Sequence, residues 1–362
     1  MTSYLLAGGG TAGHVNPMLA IADEIRSREP DASILMVGTR EGLEARLVPE
    51  RGYELATIAR LPFPRRPDMR AVRFISGWRR AVRHVVALIR EREVDVVVGV
   101  GGYAAAPAYA AARKTNTPLV IHEANARPGL ANRLGARWTQ FVGVAFPGTP
   151  LPHARFVGMP LRREIQDLDV ASARSAARKK LKLALRGPVL VVTGGSLGAQ
   201  RLNAAIVDAL PALARAKIQV LHITGRGAAT TTPRPGYLTL EYCDQMQDAF
   251  SAATLVISRA GSSTVSELSA LGVPAVYVPY AVGNGEQALN ARAAVDAGGA
   301  ILCADADFSA SFIESTVIPL LTNDAQLLEM SRASARVGER RGSELTVNLI
   351  GEALAKQNVS GA

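Results

Sequence analysis

The chain has 362 residues, 48% of them hydrophobic and 20% charged, with no low-complexity tract. This excludes a disordered polypeptide and exceeds one ordinary core, so two domains are predicted. The net charge of +10 points to an anionic partner, whereas 5% aromatics and the lack of helix-turn-helix, RNP or zinc-knuckle patterns argue against a nucleic-acid partner.

No Lys or Arg precedes Arg26, so no secretory signal is expected. A largely apolar run over 3–7 leads into Gly8-Gly9-Gly10-Thr11-Ala12-Gly13-His14, and a helix is predicted over 17–28. Glycines here let the backbone turn tightly and approach an anion at a helix start. The next strand, 33–37, ends in Gly38 and Thr39 instead of the carboxylate a nicotinamide cofactor would need. Between 60 and 92, Arg65, Arg66, Arg70, Arg73, Arg79, Arg80, Arg83 and Arg90 surround a helix. Its 3,4-spaced stripe of Ile75, Trp78, Val82, Val85 and Ile89 is expected to pack on the sheet, leaving the arginines, with Phe63 and Phe74, as a solvated face or a surface for an anionic leaflet. Residues 96–112 lack charge but are too short for a membrane span and are broken by Gly101, Gly102 and Pro107, so they are read as strand, loop and helix. Strands follow at 118–122, just before Glu123, and at 141–144.

Gly and Pro over 157–162 mark a joint, and a helix over 171–183 is expected to turn Arg178, Lys179, Lys180 and Lys182 to solvent. A second series of strands, 188–193, 218–224, 254–258 and 273–279, repeats the plan. The first of these runs into Gly194-Gly195-Ser196-Leu197-Gly198. After 254–258 comes Arg259-Ala260-Gly261-Ser262-Ser263-Thr264-Val265-Ser266-Glu267, where hydroxyl side chains are expected to cap a helix. The free amides there can receive a diphosphate and Glu267 the hydroxyls of a ribose. Gln287 opens another helix, where an amide can both donate to and accept from a sugar hydroxyl. Cys243 and Cys303 are read as core residues, and Asp167/Asp169 and Asp305/Asp307 as surface carboxylates. No metal or other cofactor is expected. The last helix, 343–356, closes the second lobe or crosses back to the first. The fold class is α/β, with two Rossmann-like, doubly wound parallel-sheet domains facing across a cleft.

The segments GGGTAGHVNP, VVGVGGYAAAP, HEANARPGLANRLGA, VGMPLR, GGSLGAQRLN, RAGSSTVSELSALGVPAVYVPY and GEQALNARAAVDAG, in this order, resemble the MurG family of bacterial cell-wall N-acetylglucosaminyltransferases. The resemblance implies a GT-B fold and inverting transfer of N-acetylglucosamine from UDP-GlcNAc to the muramoyl 4-hydroxyl of lipid I, giving lipid II. It implies domains of 1–161, completed by 343–362, on the acceptor and membrane side, and 162–342 for UDP-GlcNAc. Donor contacts carried over are Thr11, Ala12, Gly13, Asn125, Arg162, Ser196, Cys243, the stretch Ser262, Ser263, Thr264, Val265 and Ser266, then Glu267 and Gln287. It further implies peripheral attachment to the cytoplasmic face of the cell membrane and contact with other cell-wall synthesis and division proteins. The chain departs from the family pattern at Ala12, Ala124, Met159 and Leu197.

Inverting transfer needs a base, for which His14 is the first candidate and Glu123 the second. Departing UDP would be met by Ser196 and the amides around Ser263 and Thr264, and the glycines of 99–102 admit the acceptor diphosphate. Alternatives are another GT-B UDP-sugar glycolipid or natural-product transferase, a UDP-GlcNAc 2-epimerase, and a non-catalytic nucleotide-sugar binder.

Overall fold

The computed structural model describes residues 1–61, 69–195, 199–227, 234–280 and 285–360. They form two compact units, one of residues 1–162 with the C-terminal segment from Arg340, the other of residues 163–339.

In chain order the first unit contains β1 (Ser3–Ala7), α1 (Ala12–Arg28), β2 (Ser33–Thr39), α2 (Glu44–Glu50), β3 (Glu54–Ile58), α3 (Met69–Glu91), β4 (Val96–Gly99), α4 (Ala105–Thr115), β5 (Leu119–Glu123), α5 (Leu130–Gly135), β6 (Phe141–Val144) and β7 (Ala154–Phe156). The strands pair in parallel in the order β3-β2-β1-β4-β5-β6-β7. Because strand side chains alternate, Leu5, Val37, Val97 and Ile121 enter one core with Val82, Val85 and Ile89 of α3 and Tyr109 of α4. Leu6, Met36, Val98 and Val120 enter the opposite core with Met18 and Ile21 of α1. Leu349 and Ile350 close that second core, because the chain's last helix lies against this sheet, tied by Arg28 to Asn348 (2.6 Å) and by Arg155 to Glu352 (2.6 Å).

The α1 helix begins at Ala12, earlier than the position Pro17 suggested, since the turn at Gly9 (φ 145°) and Gly10 (φ 94°) already points the chain into the helix. In α3 the apolar stripe packs only in part: Ile75 is 51% exposed and Trp78 half-buried, stacked on Phe74 at 6.0 Å. A helix of 23 residues spans roughly 35 Å, whereas a five-residue strand spans about 17 Å, so one end of α3 outruns the sheet. Arg79, Arg80, Arg83 and Arg90 are exposed. Phe63, Arg65 and Arg66 lie outside the described residues, as do the side chains of Arg70 and Arg73.

The second unit runs α6 (Arg163–Gln166), α7 (Val170–Lys180), β8 (Val189–Thr193), α8 (Gln200–Arg215), β9 (Gln219–Ile223), β10 (Tyr237–Leu240), α9 (Met246–Ala252), β11 (Leu255–Ser258), α10 (Ser262–Leu271), β12 (Ala275–Tyr277), α11 (Glu286–Asp296) and β13 (Ala300–Leu302). Then come α12 (Ala310–Phe312), a π-turn over Ile313–Val317, α13 (Ile318–Leu321) and α14 (Asp324–Val337); α15 (Gly342–Ser360) belongs to the first unit. Its parallel sheet has the order β10-β9-β8-β11-β12-β13.

Three expectations are corrected here. Arg178 is not on a solvated face; it is 4% exposed, and its guanidinium donates to the carbonyls of Ala252 (3.1 Å), Leu185 (3.0 Å) and Gly187 (3.0 Å), pinning α7 to the end of α9 and the approach to β8. Cys303 is buried, but Cys243, in the segment after β10, is only half-buried. Asp305 is no free surface carboxylate, since it pairs with Arg259 at 2.5 Å and both side chains are largely buried.

Candidate functional site

The first unit's sheet reverses strand order between β1 and β4, and ligands of open α/β sheets bind where the carboxyl ends of such strands diverge. Two glycine turns meet there. A Cβ on Gly102 would collide with the Gly9 carbonyl, so the turn after β1 and the turn after β4 are in backbone contact, and only glycine fits. The amides of Ala12 and Gly13 begin α1, where no side chain caps the helix, so its positive end is presented to whatever lies above the turn.

His14 is half-buried in that first turn. Its Nδ1 is 3.2 Å from Thr11 Oγ1, and its Nε2 lies 3.2 Å from the place a Cβ on Gly101 would take, so the imidazole rests against the second glycine turn. Burial holds its pKa below the ordinary histidine value, opposed by the negative charge of Glu44. The ring is therefore neutral at neutral pH, the form a general base requires.

Beside it runs a buried relay. Tyr109 OH donates to Asn132 Oδ1 (2.7 Å), and Asn132 Nδ2 donates to Glu123 Oε2 (2.9 Å) and to the His122 carbonyl (3.1 Å). Glu123, 2% exposed, also accepts from the amides of Asn125 and Gly129 at 2.9 Å each. Burial pushes its pKa up and these donors pull it back. Both oxygens are engaged in folding the 124–129 loop, which places Asn125. His122, fully buried, donates from Nε2 to the Gly158 carbonyl at 2.9 Å, and burial pushes its pKa down to about 4. Arg60 lies over the ring of Tyr103, 4.8 Å from its centroid, and brings a cation next to Gly102.

In the second unit the switch between β8 and β11 is followed by α10. Its N-cap is Gly261, without a side-chain cap, so the hydroxyl residues Ser262, Ser263 and Thr264 stand inside the first turn instead of capping it. Their amides lie at the helix's positive end, and Ser263 Oγ, like Ser258 Oγ at the end of β11, is buried with no hydrogen-bond partner among the described residues. Glu267 is 8% exposed one turn on. Gln287 accepts the Tyr280 amide through Oε1 at 2.9 Å. Arg259 holds the carbonyls of Val278 (3.0 Å) and Pro279 (3.2 Å) and pairs with Asp305, binding the ends of β11, β12 and β13 together. Cys243 follows β10, and burial raises its thiol pKa. Among the described residues no group of His, Cys, Asp and Glu is arranged to hold a metal ion.

The glycosyltransferase family 28 N-terminal domain matches residues 4–144, and the family's C-terminal domain matches residues 189–346. The chain is 58% identical to the UDP-N-acetylglucosamine–N-acetylmuramyl-(pentapeptide) pyrophosphoryl-undecaprenol N-acetylglucosamine transferase of Clavibacter michiganensis, covering 98% of this chain and 97% of that one. The chain belongs to glycosyltransferase family 28. A second relative, the transferase of the same name from Leifsonia xyli, is also 58% identical, over 97% and 98% of the two chains. The crystal structure of MurG from Acinetobacter baumannii superposes with a TM-score of 0.79 at 25% identity, covering 97% of this chain and 100% of that one. The fold is thus the two-domain GT-B arrangement of parallel sheets.

Of the residues the sequence singled out in this family 28 chain, Thr11, Ala12, Gly13, His14, Glu123 and Asn125 lie at the carboxyl ends of β1 and β5, the two strands that flank β4 in the first unit. Arg162, half-buried, ends that unit. Cys243, Ser262, Ser263, Thr264, Val265, Ser266, Glu267 and Gln287 belong to the second unit, where Val265 is buried core. Ser196 lies outside the described residues. Sequence reasoning missed Glu44, Tyr109, Asn132 and Arg259, the residues that hold the turns. Asn132 stands inside the quoted segment HEANARPGLANRLGA, and Glu44 opens a helix after Gly42, but nothing local reveals their partners.

Proposed function

We propose that this chain transfers N-acetylglucosamine from UDP-GlcNAc, with inversion, to the muramoyl 4-hydroxyl of lipid I, undecaprenyl-diphospho-N-acetylmuramoyl-pentapeptide, forming lipid II for peptidoglycan. The observation that carries this reading is the 58% identity over 98% of the chain to a transferase bearing that activity in its name. The second unit takes the donor: the amides of Ser262 to Thr264 and the Ser263 hydroxyl receive the diphosphate, Glu267 the ribose hydroxyls and Gln287 NH2 the sugar. The first unit takes the acceptor, with the glycine turn at 99–102 and Arg60 against its diphosphate. When Nδ1 of His14 carries the ring hydrogen toward Thr11 Oγ1, Nε2 is the atom that accepts the proton of the attacking hydroxyl. Charge developing on departing UDP is met by fixed amide dipoles, which need no rearrangement as the bond breaks.

No described helix is long and apolar enough to cross a membrane. Peripheral attachment at the cytoplasmic face, through the exposed arginines of α3 at about 1 kcal/mol each on an anionic leaflet, brings the enzyme to its lipid-linked acceptor, where other cell-wall synthesis proteins work.

Purified protein incubated with radiolabelled UDP-GlcNAc and a short-chain lipid I analogue should place label in the lipid, with and without EDTA. Free UDP-ManNAc and no labelled lipid would assign the chain to the epimerases. His14→Ala should lower turnover by ~10²–10⁴ while sparing donor affinity. Glu267→Ala should weaken UDP-GlcNAc binding by roughly tenfold or more, as loss of charged hydrogen bonds does, and unchanged affinity removes Glu267 from the donor site.

A further inference from the structure

A glycine-rich turn ahead of a helix ordinarily offers its amides to a ligand's phosphate. In the first unit one of them is already taken from within. The carboxylate of Glu44, fully buried at the start of α2, accepts the Gly10 amide through Oε2 at 2.8 Å, and through Oε1 the amide and hydroxyl of Thr39 at 2.8 Å each. A Cβ on Gly9, Gly38 or Gly42 would collide with this side chain, so three glycines from three segments form a cradle around one carboxylate. Among the described residues no cation pairs with Glu44. Its charge is met by the hydrogen-bond donors, as that of a bound anion in a backbone nest would be.

We propose that Glu44 is a positioning residue for the transfer reaction: an internal anion that locks the Gly9–Gly10 turn and thereby sets the place of His14 and of the α1 amino terminus. It follows that the acceptor's diphosphate does not use the Gly10 amide and must take its backbone donors from the turn after β4 and from the start of α1. The proposal rests on the reading of His14 as the base. Around His14 the ionisable groups are Glu44 from α2, Glu123 at the end of β5 and Tyr109 from α4; the latter two are tied to Asn132, and Glu44 is the one whose charge acts on the imidazole.

The variants are Glu44→Gln and Gly42→Ala. Glutamine keeps an oxygen for Thr39 but turns an NH2 group toward the Gly10 amide, donor against donor. Alanine at 42 leaves the charge in place and pushes the carboxylate out of the cradle. In the full-length protein, each should lower kcat by about tenfold to a hundredfold, the scale of a small misplacement of a reacting group. UDP-GlcNAc affinity should fall far less than kcat, because Ser262, Ser263, Thr264, Glu267 and Gln287 lie on the other unit and only the contacts expected of Thr11, Ala12 and Gly13 move with the turn. In Glu44→Gln, losing the negative charge lowers the His14 pKa, so the acid limb of the kcat/KM profile should move to lower pH; in Gly42→Ala the limb should shift less. Unchanged kcat in both variants overturns the proposal, and so does a fall in kcat with an unmoved acid limb in Glu44→Gln, which would mark a merely structural carboxylate. If Glu44→Gln does not fold, Gly42→Ala decides by whether kcat falls by more than donor affinity does. Retained activity in His14→Ala would instead refute the base assignment itself.

Discussion

Asn132 carries the sharpest stability prediction. Its side chain, 1% exposed, joins α4, β5 and α5 through bonds to Tyr109, the His122 carbonyl and Glu123. Asn132→Leu keeps the volume and removes all three. The Tyr109 hydroxyl loses the oxygen it donates to, an orphaned buried donor costing about 1–3 kcal/mol. Glu123 loses one donor to a buried carboxylate, worth about 1.5–3 kcal/mol, though the Gly129 amide stays on the same oxygen. The expected loss is about 3–5 kcal/mol in the first unit, seen as an earlier urea transition by tryptophan fluorescence, since Trp78 and Trp138 both lie in that unit, with the second unit's transition, followed by amide hydrogen exchange, unmoved. Asn132→Asp makes the contrast. It keeps the Tyr109 acceptor but faces Glu123 with a second carboxylate, so the pair must share a proton and the variant should regain stability as pH falls. A cost below about 1 kcal/mol for Asn132→Leu, or an Asn132→Asp variant indifferent to pH, refutes the relay as the element that fixes the 124–129 loop.

Arg178→Ala should destabilise the second unit by about 2–4 kcal/mol, because the carbonyls of Ala252, Leu185 and Gly187 lose a charged donor; a shift in urea midpoint confined to that unit's transition checks it. His122 and His222 are both buried, and burial pushes each pKa down to about 4. Their neutral forms contribute stability that is fully present above the unfolded value near 6.5 and is lost as pH falls from there to about 4. Each should cost about 2 kcal/mol between pH 7 and pH 5, and His222→Gln, which keeps polar reach toward Tyr237 and Asn203 but does not titrate, should flatten its unit's share of that slope.

Much of the fold was legible because periodicity is local. The strand runs at 3–7, 33–37, 188–193 and 254–258 appear within a residue or two of where apolar alternation and flanking glycines put them. The glycine turns were legible as well, since a positive φ leaves a mark on residue identity. What stayed hidden were pairings between distant segments. Arg178 read as one more cation on a basic helix, and nothing nearby in sequence reveals that the carbonyls at 252 and 187 converge on it. Ile75 fits a 3,4 stripe perfectly, yet burial depends on how far the sheet extends beneath the helix.

The amino-acid order by itself determined two parallel-sheet units, the turns that end their central strands, and the residue types gathered at those turns, because each follows from side-chain spacing and backbone freedom within a short window. Only the tertiary structure decided which group fills which place. It set Glu44 in the nest of the first glycine turn, spent both oxygens of Glu123 on its own loop, and left the hydroxyl of Ser263 without a partner among the described residues. Such assignments depend on donors and acceptors brought together across strands tens of residues apart, and a hydrogen bond depends on distance and direction in space, whatever the separation along the chain.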